Sequence, residues 1–133
     1  NIKVADLTKL GIPHGNTPDV LTETVAELAF TLVAAARRRI FENMNFVASG
    51  EWAKRPSNIK GRDLSRTTLG IIGMGNIGIA ISRRARAFGM TVIYNNRHPR
   101  NDDHLYMIEY KYPISLLKSY QDQILYLISF YIL

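Results

Sequence analysis

The chain has 133 residues, 47% of them hydrophobic, and a formal net charge of +6. That is one domain's worth of sequence, with enough apolar content for a core of useful size. It contains no cysteine, which excludes a disulfide framework and a thiolate metal site and fits a reducing compartment, with the cytoplasm as the expected location.

Near the start, Ile2, Val4, Ala5, Leu7 and Leu10 predict a short helix that Gly11 ends. This stretch lacks the basic-then-apolar layout of a signal peptide. Residues 11–18, GIPHGNTP, are dense in turn formers and read as a loop. Residues 1–17 together form a lead-in. The longest periodic segment follows, within residues 18–47. Val25, Leu28, Ala29, Leu32, Val33, Ala36 and Ile40 repeat at i, i+3 and i+4 and predict one continuous helix over residues 22–46. Thr22 is the expected N-cap, Glu23 and Glu27 suit the positive end of the helix dipole, and Arg37, Arg38 and Arg39 suit the far end. Phe30 and Phe41 add apolar surface on further faces. A helix so built is expected to pack on two sides, one against its own domain and the other against a second subunit. Residues 48–52 end it, and residues 53–66, with Pro56 and Gly61, read as a polar linker.

Residues 68–97, TLGIIGMGNIGIAISRRARAFGMTVIYNNR, carry the strongest signal. Leu69, Ile71 and Ile72 form a short apolar run, as in a buried strand. Gly73-Met74-Gly75-Asn76-Ile77-Gly78 is a G-x-G-x-x-G. Ile77, Ile81, Arg84, Ala85 and Phe88 then recur at helical spacing until Gly89, and residues 91–94 read as a second strand. Strand, glycine turn, helix and strand make one βαβ unit. Gly73 permits the tight turn, Gly75 lets a pyrophosphate approach the backbone, and Gly78 lets the helix lie against the strand. The N–H groups and dipole at the start of the helix then face the phosphates. Alone, a G-x-G-x-x-G is weak, since such turns also arise for steric reasons; the legible strand, helix and strand around it make a dinucleotide site the better reading.

Residues 97–104, RHPRNDDH, read as a charged loop, 105–110 as a short strand, and 113–120 as a short helix with Pro113 in its first turn. Residues 123–133 form a last apolar strand; the run 124–133 is too short to span a bilayer, so no membrane association is expected. The architecture expected is α/β, a partial Rossmann-type doubly wound parallel sheet in residues 67–133, in the order 3-2-1-4, preceded by the long helix.

The candidate cofactor-binding residues are Gly73, Gly75, Asn76, Ile77 and Gly78 in the turn, then Asn96, Arg97, His98, Pro99 and Arg100 after the second strand. NAD-binding members of this fold place an Asp or Glu at that second position to hold the ribose 2′-OH. Here Asn95 and Asn96 remove the negative charge, and Arg97 and Arg100 offer guanidinium groups that suit a 2′-phosphate. NADP is therefore expected over NAD. His14 reads as a loop histidine, and Asp102, Asp103 and His104, with no second ligand group, read as a solvated loop rather than a metal site. The arginines lie on helices whose other faces are apolar, and no aromatic-basic interleaving occurs, so nucleic acid is not an expected partner.

Several segments in order resemble the D-isomer-specific 2-hydroxyacid dehydrogenases, the glyoxylate and hydroxypyruvate reductases most. They are Gly15-Asn16-Thr17-Pro18 with Val20-Leu21-Thr22-Glu23, then Ala26-Glu27-Leu28-Ala29 and Ala36-Arg37-Arg38. Gly50-x-Trp52, Gly61-Arg62-x-Leu64, the run from Leu69 to Gly78, and Ala87-Phe88-Gly89-Met90 follow. The resemblance is close to about residue 100 and weakens beyond it. It implies an NAD(P)-binding coenzyme domain, here residues 1–133 and incomplete, inserted in a substrate domain. It implies hydride transfer between NADPH or NADH and a small-molecule 2-oxo or 2-hydroxy acid, such as glyoxylate or hydroxypyruvate. It also implies a homodimer packed through the 22–46 helix. The family's catalytic Arg, Glu and His are expected later than any residue present, so no catalytic residue is assigned. Two other readings stay open: a non-catalytic nucleotide-binding or interaction protein, since corepressors of this family keep the fold, and a fragment without function.

Overall fold

The structure is a computed structural model and describes residues 3–15, 17–96, 108–109 and 124–128. Its sheet is organised around β1 (Thr68–Ile72), whose middle residues Leu69, Gly70 and Ile71 are buried. Leu69 and Ile71 supply the apolar side chains that a central strand buries under a helix. β2 (Thr91–Asn95) and β4 (Ile124–Ile128) pair with β1 in parallel on either side, and β3 (Ile108–Glu109) pairs in parallel with β2. The order is β3-β2-β1-β4, as the sequence implies. The direction of winding therefore reverses between β1 and β4, which is where open α/β sheets bind ligands, at the carboxyl ends of their strands.

Register sorts the side chains. Leu69 lies beside Val92 and Ile71 beside Tyr94. All four belong to one buried cluster with Ala80, Ile81 and Ala85 of α4 (Asn76–Ala87) and Ala26, Phe30 and Val33 of α2 (Thr22–Arg38). The sheet face, α4 and α2 thus form successive layers. Phe30 of α2 meets Phe88, just past α4, with ring centroids 5.0 Å apart and planes tilted by 58°, a favourable aromatic geometry. At the rim, Arg84 of α4 donates to Glu23 at 2.8 Å and Glu27 at 3.4 Å on α2, and to the Ala80 carbonyl at 2.9 Å. The Glu23 hydrogen bond raises the Arg84 pKa above its already high ordinary value, despite some desolvation. This guanidinium stays charged across the usable pH range, so the contact between the helices does not depend on its titration.

The single helix expected over residues 22–46 is two helices. α2 ends at Arg38, Arg39 takes a left-handed conformation with φ 53°, and α3 (Ile40–Ala48) starts anew. The cause lies outside the helix. The segment read as a linker crosses the end of α2: the Arg62 N–H donates to the Arg37 carbonyl at 2.9 Å, and Asp63 pairs with Arg38. The Arg37 carbonyl, which would have continued the ladder, is claimed by this segment, and Arg39 supplies the turn. The linker is therefore partly docked: Leu64 is buried, and the Arg66 N–H donates to the Gly89 carbonyl at 2.9 Å. Thr22 is also not the N-cap. Leu21 holds that place with no side-chain cap bond, and Thr22 is the first helical residue.

The predicted lead-in helix is α1 (Val4–Lys9), with Gly11 at φ 65° after it and no buried residue. A short 3-10 turn at Glu51–Ala53 follows α3. There Lys54 and then Arg55 hydrogen-bond Glu51 and lower its pKa. The strands expected at 105–110 and 123–133 are represented by β3 and β4; the helix expected over 113–120 lies outside the described residues. Among the described residues, no helix is long and apolar enough to cross a membrane.

Candidate functional site

The glycine turn leaves the carboxyl end of β1 beside the point where the sheet order reverses. Gly73 has φ 93°, a conformation that any side chain would strain, so a glycine is needed to turn the chain out of the strand. Its N–H donates to the Asn95 carbonyl at 2.9 Å, and the Met74 N–H reaches Oδ1 of Asn96 at 3.4 Å. The turn is thus latched to the end of β2, and Met74 is fully buried beneath it.

Gly75 holds the N-cap position of α4 in an extended conformation and, as a glycine, places no side chain over the helix end. The first turn of α4 carries no acidic residue. Asn76, Ile77 and Gly78 open the helix, where N–H groups lack an acceptor one turn back and the dipole is positive. Gly78 sits directly against the turn. A Cβ there would lie 2.5 Å from the Gly73 carbonyl oxygen and 3.4 Å from the Met74 sulfur. Helix and strand approach at backbone distance, which leaves the helix end open beside the turn. Such a cradle suits an anionic diphosphate.

The structure therefore brings together Gly73, Gly75, Asn76, Ile77, Gly78 and Asn96. Arg97, His98, Pro99 and Arg100 lie outside the described residues, as do Asp102, Asp103 and His104. His14 stands in the exposed loop, its Nδ1–H donating to the Ile12 carbonyl at 3.2 Å. Among the described residues no group of three or more His, Cys, Asp or Glu side chains could hold a metal ion. One contact at the site escaped sequence reasoning: Asp19, in the turn before α2, accepts a hydrogen bond from Nδ2 of Asn76. The two residues are 57 positions apart, and no local pattern links them.

A parallel sheet wound in this order, with a glycine-cradled helix start at its switch point, defines the Rossmann type of nucleotide-binding domain. The NAD binding domain of the D-isomer specific 2-hydroxyacid dehydrogenases matches residues 30–124, and the chain belongs to that family. A glyoxylate reductase from Thermococcus onnurineus (strain NA1) is 47% identical over 102 residues, covering 73% of this chain and 30% of that protein. Among solved structures, the TT0316 protein from Thermus thermophilus matches with a TM-score of 0.80 and 32% identity, covering 99% of this chain and 40% of that one. An NADPH-dependent glyoxylate/hydroxypyruvate reductase from Sinorhizobium meliloti matches with a TM-score of 0.77 and 31% identity, over 89% of this chain and 37% of its own. The chain thus spans less than a third of the length of the curated relative and about two fifths of the solved chains.

Proposed function

We propose that this chain is the coenzyme-holding part of an oxidoreductase that transfers hydride between a nicotinamide dinucleotide and a 2-oxo or 2-hydroxy acid of the glyoxylate or hydroxypyruvate kind. The observation that carries the reading is the backbone-to-backbone approach of Gly78 and Gly73 at the open start of α4. In this reading Gly73, Gly75, Asn76, Ile77 and Gly78 cradle the pyrophosphate. The dinucleotide supplies the hydride, and this chain supplies binding and orientation.

The coenzyme we favour is NADP. Asn96 stands where an acid would hold a ribose 2′-OH, and the sequence then runs Arg97, His98, Pro99, Arg100. The name of the Sinorhizobium relative points the same way for that protein. Fluorescence titration is expected to give tighter binding of NADPH than NADH by about ten- to a hundredfold, the worth of one charge-assisted contact. Arg97→Ala should weaken NADPH and leave NADH nearly unchanged; equal losses for both would show that Arg97 does not read the 2′-phosphate.

We also propose a homodimer through α2 and α3. Ala26, Phe30 and Val33 of α2 and Phe46 of α3 are buried, while Leu28, Leu32, Ile40, Phe41 and Met44 are exposed. An apolar strip of that kind on a helix pair calls for a covering surface. Sedimentation is expected to give a dimer that Leu32→Glu with Phe41→Glu converts to monomer; a wild-type monomer at tens of micromolar concentration would rule the interface out.

A further inference from the structure

Asp19 belongs to the turn that leads into α2, yet its side chain ends at the start of α4. Its backbone is left-handed, with φ 64°, a conformation Asp tolerates better than most non-glycine residues. The turn is pinned on both sides: the Val20 N–H donates to the Pro18 carbonyl at 2.9 Å, and the Thr22 N–H donates to the Asp19 carbonyl at 3.2 Å. From this fixed base the carboxylate accepts from Nδ2 of Asn76. An ionised carboxylate only accepts, so the partner atom must be the amide nitrogen and the side chain of Asn76 has one orientation. That nitrogen carries a second hydrogen, and Asn76 is the first residue of α4, where an anion is favoured.

We propose that Asp19 is a positioning residue for the phosphate site, holding the Asn76 carboxamide so that its second N–H meets a phosphate oxygen of the bound dinucleotide. The inference rests on the dinucleotide reading above. It has a sign that a simple charge effect lacks. A carboxylate near a phosphate repels it, so deleting Asp19 strengthens binding if the charge acts only through space and weakens binding if it acts through Asn76.

The test uses this chain, with ADP, adenosine and NADPH as probes. Asp19→Gly keeps the positive φ without strain and removes the carboxylate. It should weaken ADP and NADPH by about three- to tenfold, the range of one hydrogen bond, and leave adenosine unchanged. Asn76→Ala should cost about the same factor, and the double variant no more than either single one, because both remove one linked contact. Asp19→Asn, whose side-chain carbonyl accepts the same bond, should stay within about twofold of wild type. Unchanged or tighter ADP binding in Asp19→Gly, an equal loss for adenosine, or additive losses in the double variant would overturn the proposal. If Asp19→Gly loses its cooperative unfolding transition, Asn76→Ala decides alone, and unchanged ADP affinity there overturns it. A wild-type chain that binds neither ADP nor NADPH overturns the dinucleotide reading and this proposal with it. Wild-type binding with an indifferent Asp19→Gly overturns this proposal only.

Discussion

Gly78→Ala is expected to lower the stability of the chain by about 1–3 kcal/mol and to weaken NADPH by tenfold or more. The added Cβ would sit 2.5 Å from the Gly73 carbonyl oxygen, closer than carbon and oxygen can stand. The obstacle is backbone, so no side-chain rotation relieves it. Either α4 moves off the sheet or the Gly73 peptide turns. The first loosens the packing of Ile81 and Ala85 on β1 and β2; the second breaks the latch between the Gly73 N–H and the Asn95 carbonyl. Both displace the helix start proposed above to hold the phosphates. Urea unfolding gives the stability change and a fluorescence titration gives the affinity. An unchanged midpoint with unchanged affinity would mean that the close approach is not required.

Leu69→Ala is expected to cost about 2–5 kcal/mol, a large share of the stability of a domain this size. Leu69 is fully buried in the central strand, beside Val92 and under α4. Strands on both sides hold β1 in place, so the cavity cannot close by a shift of backbone. Ile71→Val, two residues along the same face, removes one methylene and should cost only about 0.5–1.5 kcal/mol. Equal midpoints for wild type and Leu69→Ala in urea would place the core elsewhere.

The βαβ unit was legible because its signals are local. Glycine spacing, the apolar run before it and the helical period after it all lie within one stretch, and the structure puts β1, α4 and β2 within a residue or two of their expected places. The strand order followed from the fold those signals define. The break at Arg39 was not legible, because residues 22–46 keep a helical period throughout; the interruption comes from Arg62 and Asp63, more than twenty positions later. For the same reason residues 61–64 looked like a free linker. Leu21, not Thr22, takes the cap position, since the pinned turn at 18–21 sets where the helix starts. At the site, the sequence shows Asn96 as a missing charge, and the structure adds the hydrogen bond it accepts from the Met74 N–H. Asp19 carried no sequence signal at all, since its partner is met only when α2 packs against α4.

The strand order also sets the order in which the sheet can assemble. Thr68 of β1 meets Thr91 of β2 across 23 positions, whereas it meets Ile124 of β4 across 56. Each doubling of a closed loop adds about 0.6 kcal/mol of chain entropy, so the β1–β4 pairing is the costlier of the two to nucleate. A chain emerging from the ribosome completes β1, α4 and β2 well before β4 exists. During that interval one edge of the central strand presents unpaired backbone N–H and C=O groups and is open to pairing with another copy. Refolding at rising protein concentration should therefore lose yield before it loses rate, with the exposed β1 edge as the point of misassembly.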